Sequence, residues 1–441
     1  MGCMGFRMRF SMDQNSTLST LNREDTGRAS DPTCTPAAPC GPASELSNKA
    51  PDSCPESLRK GLPDLQDEDE AEVVKDLSDC RLCPRDCRVN RLKGEKGFCG
   101  EGGTIRAARA ALYYTEEPVI SGSRGSGTVF FAGCNLGCIY CQNRQISRPG
   151  ASPSGALEKD TSSIRNSPSS VSRQNVSGQG LSGQNLSEQN LSGKRKSLPR
   201  LLEISPERMA EIFLELQEQG AHNINLVTPE HFVPLLIPAL RRAKKQGLSI
   251  PVVYNTGSYE RVEAVKALEG LVDVWLPDLK YVSSALSARH TGAGDYFQYA
   301  SAAIAEMVRQ CPEPVFSDGS HTIDCPDDAD DPIMVHGVLV RHLALPGCAE
   351  DSRAVLRYLY ETYGDRIFIS IMNQYTPMPQ VLQSHPDPDL CRRLSEAEYE
   401  ALVDFAIDLG ITNGFIQESG TVSPSYIPVF DGTGILPAAR R

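Results

Sequence analysis

Long apolar runs are missing from this 441-residue chain. None approaches the roughly 20 consecutive apolar residues that a membrane-spanning helix needs, and the amino terminus lacks the apolar core of a secretory signal. Its start, Met1-Gly2-Cys3-Met4-Gly5-Phe6, also misses the Ser or Thr expected at the sixth position of a myristoylation site. No membrane partner is expected, and the expected compartment is the cytoplasm. Positive charge is short as well: 44 Lys and Arg stand against 56 Asp and Glu, a net charge of -12. That argues against a general nucleic-acid binder, whose footprint is a basic surface, and leaves room for a local basic patch. Hydrophobic residues make up 40% of the chain, enough for a sizeable core.

Cysteine, by contrast, is plentiful. Fifteen cysteines in a long chain without an export signal read as metal ligands and free thiols sooner than as a disulfide framework. Cys3, Cys34, Cys40, Cys54, Cys311, Cys325, Cys348 and Cys391 are scattered, and the remaining seven fall into two clusters. The first cluster lies in Phe131-Ala-Gly-Cys-Asn-Leu-Gly-Cys-Ile-Tyr-Cys-Gln-Asn143, where Cys134, Cys138 and Cys141 make a C-x3-C-x2-C loop directly after an apolar strand, Thr128 to Ala132. A [4Fe-4S] cluster normally takes four Cys ligands. Three from one loop leave one iron without a protein ligand, and an open metal position signals chemistry, as at catalytic zinc sites. The alternative is a structural zinc or ferredoxin-type site with a fourth ligand from elsewhere.

The second cluster is Cys80-Arg-Leu-Cys83-Pro-Arg-Asp-Cys87 with Cys99 in Gly97-Phe-Cys-Gly100, giving C-x2-C-x3-C-x11-C. Four thiolates bracketed by turns close a tetrahedral zinc site or hold an additional iron-sulfur cluster, and a structural metal is the preferred expectation. Arg85, Arg88, Arg91, Lys93 and Lys96 make this stretch basic within an acidic chain, suited to an acidic partner or simply solvated.

Composition divides the chain further. Residues 1–76, rich in Ser, Thr, Pro and Asp and ending in Asp67-Glu-Asp-Glu70, are expected to be disordered. Residues 77–105 form the Cys-rich module and 106–441 an α/β body. The body carries a polar insertion at 150–200, with a near-repeat from Gln174 to Gly193 read as flexible, and an acidic one at 311–331. Elsewhere strand and helix alternate. Strands are expected at Ile224 to Thr228, Pro251 to Asn255, Val272 to Pro277, Gly337 to His342, Ile367 to Met372 and Gly414 to Gln417, with helices between them. Ser205-Pro206 reads as an N-cap with proline at N1, and Ser395-x-x-Glu398 as a capping box. Repeated βα units of this kind imply a parallel sheet covered by helices, and six units with the chemistry after the first strand fit an incomplete (β/α)6 barrel.

In such a fold the carboxyl ends of the strands carry the site. They read Thr228-Pro-Glu-His231, Asn255-Thr-Gly-Ser258, Pro277-Asp-Leu-Lys280, Gly337-Val-Leu-Val-Arg-His-Leu-Ala-Leu-Pro-Gly347 and Met372-Asn-Gln-Tyr-Thr-Pro377. Asn255 and its neighbours suit ribose hydroxyls or make only a turn. Asp278 and Lys280, two apart on a strand, point to one face, where they hold a charged ligand or each other.

The Cys134, Cys138 and Cys141 loop, with the aromatic Tyr140 just before its third Cys, resembles the signature of the radical S-adenosylmethionine (SAM) enzymes. The Asp278-Leu-Lys280 and Val340-Arg341...Pro346-Gly347 runs, with the upstream Cys-rich stretch, are similar to the pyruvate formate-lyase activating enzyme-like subfamily. The resemblance implies a partial barrel, a [4Fe-4S] cluster whose open iron is chelated by SAM, and reductive cleavage of SAM to a 5'-deoxyadenosyl radical. It implies contacts to SAM from Tyr140, Thr228, Glu230, Asn255, Asp278, Lys280, and Arg341 or His342. It also implies a flavodoxin- or ferredoxin-like electron donor and hydrogen abstraction from a glycine Cα of a partner enzyme. The chain departs from the family at Thr228-Pro-Glu230, where many members have Gly-Gly-Glu, and the upstream quartet is absent from the simplest activating enzymes. Another protein side chain, a small metabolite, or a non-catalytic metal scaffold are the alternative readings.

Overall fold

Apolar, β-branched and aromatic runs pair into one eleven-stranded sheet in the computed structural model, which describes residues 6–8, 67–149, 199–321, 332–384, 387–417 and 427–437. In chain order the elements are β1 (Phe6–Met8), α1 (Asp67–Ser78), β2 (Ile105–Tyr113), α2 (Pro118–Ser121), β3 (Ser126–Phe131), α3 (Arg144–Ser147) and β4 (Leu202–Ile204). Then follow α4 (Pro206–Glu218), β5 (Ile224–Val227), α5 (Val233–Lys245), β6 (Val252–Thr256), α6 (Val262–Lys266), β7 (Val274–Pro277), α7 (Ser284–Thr291), α8 (Tyr296–Gln310) and β8 (Val315–Phe316). The chain continues with β9 (Met334–Leu343), α9 (Ala349–Tyr363), β10 (Phe368–Met372), α10 (Pro379–Ser384), α11 (Glu396–Leu409) and β11 (Gly414–Gln417).

The sheet is parallel from β3 through β5, β6, β7, β9 and β10 to β11. β1, β2, β4 and β8 join it antiparallel. Every residue of β3, β6, β7 and β10 is buried, as a parallel sheet covered on both faces requires. One apolar cluster gathers Val253, Val274, Leu276, Leu339, Phe368 and Phe415 with Val119 and Ile120. Helix signals act as expected: Ser205 Oγ accepts the Arg208 N–H at 3.2 Å, and the capping box of Ser395 and Glu398 is formed in both directions. Met209, Ile212, Phe213 and Leu216 form the buried stripe of α4.

The expectation of disorder over residues 1–76 needs correction at two places, and one strand was not foreseen. Order begins before residue 76, because Val73 and Leu77, one helical turn apart, are both buried on one face of α1. Phe6–Met8 pair with β11, also inside the segment expected to be disordered. β2 gave no strand signal, since Ile-Arg-Ala-Ala-Arg-Ala-Ala-Leu-Tyr is built mostly of helix formers, yet pairing with β3 and β4 overrides that preference. The near-repeat, most of the 150–200 insertion and residues 322–331 of the acidic one lie outside the described residues. The start of the acidic insertion is structured, with Val315–Phe316 paired to β9. No helix among the described residues is long and apolar enough to cross a membrane.

A candidate metal and cofactor site at the carboxyl ends of the parallel strands

β3 delivers the cysteine loop. The chain turns at Gly133, whose φ is +81°; a Cβ there would come within 2.5 Å of Glu101 Cγ, 2.8 Å of the Cys99 carbonyl and 3.1 Å of His231 Nε2. Only glycine allows the loop to lie this close to the upstream segment. Gly133→Ala should therefore cost about 1–3 kcal/mol through backbone strain, before the clashes are counted. Urea unfolding of the metal-free chain measures it.

Beyond the turn, the Leu136 amide donates to Cys134 Sγ at 3.3 Å, and Cys141 Sγ lies 3.4 Å from Ser147 Oγ. Burial pushes the Cys138 thiol up to about 11, with Lys280 pulling it back and Cys141 and Asp278 pushing further. Cys134 is driven well above the usual thiol range by burial, then by Glu230, Cys138 and Cys141. The three thiols thus face one another and the polar ends of β5 and β7. Without a metal Cys134 and Cys138 stay protonated, so loading must release protons.

Strain sits at the neighbouring strand ends. Thr228, after β5, and Ser258, after β6, have φ of +59° and +62°, the left-handed region that a β-branched residue avoids. Between them Glu230 is 2% exposed: its Oε1 accepts from Thr256 Oγ1 at 2.9 Å and from the Gly257 amide at 3.2 Å, and its Oε2 has no hydrogen-bond partner among the described residues. Thr256 Oγ1 also lies 2.5 Å from Glu260 Oε1. A hydroxyl has one proton, so the second carboxylate contact requires a protonated carboxyl. Burial, and then Glu230, push Glu260 up to about 8, which makes Glu260 the protonated partner of the Thr256 hydroxyl; burial raises Glu230 as well, against its hydrogen bonds from Thr256 and Gly257.

At β7 and β9 a second network forms. Asp278 Oδ2 accepts from Lys280 Nζ at 2.5 Å and its Oδ1 accepts from Arg341 Nε at 2.9 Å. Arg341 also donates to Asn255 Oδ1 at 2.5 Å and pairs with Glu116 at 3.1 Å. Burial opposes the Asp278 charge, but Arg341 and Lys280 overcome it and hold the carboxyl below its usual range. Burial lifts Glu116 to about 7 against the pull of Arg341.

Tyr140 is buried, with its Oη 3.2 Å from Tyr281 Oη, whose own oxygen is 3.1 Å from His290 Nδ1. Thus Tyr140, Glu230, Asn255, Asp278, Lys280 and Arg341 gather around the loop, with Thr228 at its strained edge. His342 does not. Neighbouring strand residues point to opposite faces, and His342 turns to α9, its Nε2 2.9 Å from Ser352 Oγ and its Nδ1 2.8 Å from the Leu279 carbonyl. Glu116, Glu260, Tyr281 and His290 were missed in the sequence. Only Tyr281, next to Lys280, stood beside a motif.

Two buried histidines carry a pH prediction. Burial depresses His342 to about 4 and His231, against which Arg91 also works, to about 3. Their folded values lie below the unfolded value of about 6.5. The unfolded chain therefore binds more protons below pH 6.5, and stability held above that pH is lost as pH falls. By pH 4.5 each histidine should remove about 2–3 kcal/mol. Urea midpoints of the metal-free chain at pH 7 and 4.5 check this, and His342→Gln should flatten the dependence.

The upstream quartet stands against the loop. Burial pushes the Cys83 thiol up to about 12, the Arg85 amide opposing and Cys99, Cys80 and Cys87 adding, so the four thiols share one neighbourhood. Buried Arg91 donates to the His231 carbonyl at 2.6 Å and anchors the module to β5's end. A single ion gathers its donors on a point, and among the described residues no three His, Cys, Asp or Glu side chains are so gathered. An iron-sulfur cluster gives each thiolate its own iron and asks only that the thiols ring a common space. Within each set the thiols lie near enough to raise one another's pKa, which is compatible with that requirement, and the unpartnered carboxyl oxygen of Glu230 near Cys134 is compatible with a cationic group of a cofactor.

No family model matches the chain. It is similar to an uncharacterized protein of Methanocaldococcus jannaschii, 24% identical over 353 residues that cover 80% of each chain. Among solved structures it is similar to a domain of pyruvate-formate lyase-activating enzyme from Bacteroides vulgatus, with a TM-score of 0.28, 16% identity, and coverage of 42% of this chain and 92% of that one. Streptococcus suis SuiB bound to its precursor peptide SuiA gives a TM-score of 0.35 at 9% identity, covering 65% of this chain and 47% of SuiB. SuiB bound to S-adenosylmethionine gives 0.33 at 11% identity, covering 50% and 45%. Likenesses this loose leave the chemistry of the site to this chain's own residues.

Proposed function

We propose that this chain is a radical SAM enzyme whose parallel strands form an incomplete barrel around the site. The observation that carries the reading is the convergence of Cys134 and Cys138 of a C-x3-C-x2-C loop on Glu230, Asp278 and Lys280 at the strand ends. Cys134, Cys138 and Cys141 would hold three irons of a [4Fe-4S] cluster, and SAM the fourth. When bound, the pair supplies reductive cleavage of SAM and with it hydrogen abstraction from a substrate.

The chain's own residues bind and exclude. Glu230, buried and with one carboxyl oxygen unpartnered among the described residues, is placed for SAM's ammonium. Lys280, held charged against burial by Asp278, still has donors for SAM's carboxylate. Arg341 fixes Asn255 and Asp278 from below, and Tyr140 with Tyr375, rings 6.3 Å apart, closes the loop side against water. A glycine Cα of a partner protein is the substrate class that the Asp278-Leu-Lys280 resemblance favours. An oxygen-labile cluster of this type belongs in a reducing cytoplasm.

Anaerobic reconstitution, reduction with dithionite and assay of 5'-deoxyadenosine, beside equilibrium dialysis with labelled SAM, tests the reading. Bound SAM and 5'-deoxyadenosine above a cluster-free control are expected. A chain with its loop cluster loaded that binds no SAM is a metal scaffold, and the proposal is then wrong.

A further inference from the structure

One upstream thiol, Cys87, is linked to Cys134 of the loop by hydrogen bonds that run through Phe98, Arg148 and Leu136. The Phe98 amide donates to Cys87 Sγ at 3.3 Å. The Phe98 carbonyl accepts from Arg148 Nη1, and Arg148 Nη2 donates to the Leu136 carbonyl at 3.0 Å. The Leu136 amide then donates to Cys134 Sγ at 3.3 Å. The Phe98 ring lies between two guanidinium groups, Arg85 at 3.7 Å and Arg148 at 4.1 Å. Arg85 reaches past it to the Asn135 carbonyl at 2.8 Å. The Cys99 carbonyl is packed on Gly133 so closely that no Cβ fits. A purely structural metal needs only to fold its own short module; it does not need thiols of two clusters joined through their amide hydrogen bonds.

The polarity of the module gives a direction. Cys80 and Cys99 are buried, whereas Cys83 and Cys87 are only half-buried. Around this outer side Arg81, Arg88, Lys93, Lys96 and the ring of Phe98 are exposed. Arg81 and Arg88 are tied to Asp79 and Asp86, so the positive charge left to this side is that of Lys93 and Lys96, a small excess over Glu95 that favours an acidic protein here on a chain of net charge -12.

We propose that Cys80, Cys83, Cys87 and Cys99 hold a second iron-sulfur cluster that accepts single electrons from an acidic, low-potential protein carrier and passes them to the loop cluster. The inference rests on the radical SAM reading of the loop. In each transfer the carrier is oxidised by one electron and the loop cluster reduced by one. The upstream cluster returns to its starting state. Amide donors on Cys87 and Cys134 are the kind of contact that sets cluster potential.

The test begins with the full chain reconstituted with iron and sulfide, its metal counted and its EPR spectrum recorded after reduction. Iron well above the four per chain of one [4Fe-4S] cluster is expected, with two reducible signals. Iron at four with one zinc overturns the proposal. Arg148→Met, which leaves all seven cysteines in place, is then compared with the unmodified chain for 5'-deoxyadenosine formation driven by reduced flavodoxin and by dithionite. The ratio of flavodoxin-driven to dithionite-driven rate should fall about tenfold or more. A ratio that does not change sinks the relay even if two clusters are present. If the unmodified chain with a full loop cluster makes no 5'-deoxyadenosine from dithionite and binds no SAM, it is the radical SAM reading that has failed, while the iron count still decides the second cluster.

Discussion

Cys138→Ala is expected to bring 5'-deoxyadenosine formation down to the cluster-free background. Cys138 stands in the middle of the loop and faces both Lys280 and Asp278. On the proposed reading its loss leaves two thiols for a cluster with one open iron, so the loop would not retain the cluster. Changes to residues that merely orient metal ligands cost about 10–100-fold, and removal of a ligand itself should exceed that range. Cys348→Ala is the control, because Cys348 is buried ahead of α9 and outside the loop. It should keep activity and iron. Equal losses from the two substitutions would mean that the loop is not the site. Thermal unfolding of both metal-free variants separates loss of cluster from loss of fold.

Asp278→Ala is expected to be the most destabilising single change in the site. Asp278 is the carboxylate between Lys280 at 2.5 Å and Arg341 at 2.9 Å, each of whose side chains is less than one-fifth exposed. Removing it strands Lys280 without a carboxylate and leaves Arg341 with Glu116 alone, both largely away from water. Breaking a buried pair by deleting one partner costs about 3–5 kcal/mol. Asp278→Ala with Lys280→Met should recover part of that, since the second change removes a stranded charge, and the difference between the double and summed single changes measures the coupling. Denaturant unfolding of the metal-free chain gives all three values. An Asp278→Ala loss within the ordinary surface range of about 0.5 kcal/mol would show that the network is wet and unimportant to the fold.

Much of the site could be read from the chain because its chemistry is local. Three thiols within eight residues, or Asp278 and Lys280 two apart, meet by spacing alone. The parallel strands were equally plain, since runs such as Phe368–Met372 are buried on both faces and need no partner to be recognised. Long-range placement was not legible. Asp278 and Lys280 were read as one pair, yet Arg341, 63 residues on, completes the network, and nothing in the sequence ties Glu116 to it. His342 and Arg341 looked interchangeable, and only the strand's alternation turned one to Asp278 and the other to Ser352.

What the sequence determined by itself is the presence of two thiol sets, the βα alternation and the polar residues at the strand ends, all consequences of spacing and hydrophobic period. Only the tertiary structure decided that helix-forming Ala and Arg residues in β2 run as a strand, because β3 and β4 satisfy its backbone from either side. It alone brought the quartet against the loop, where Gly133, Arg85 and Arg148 fix the contact. Hydrogen bonds across tens of residues have no local signature, since each depends on where the sheet has already carried both ends.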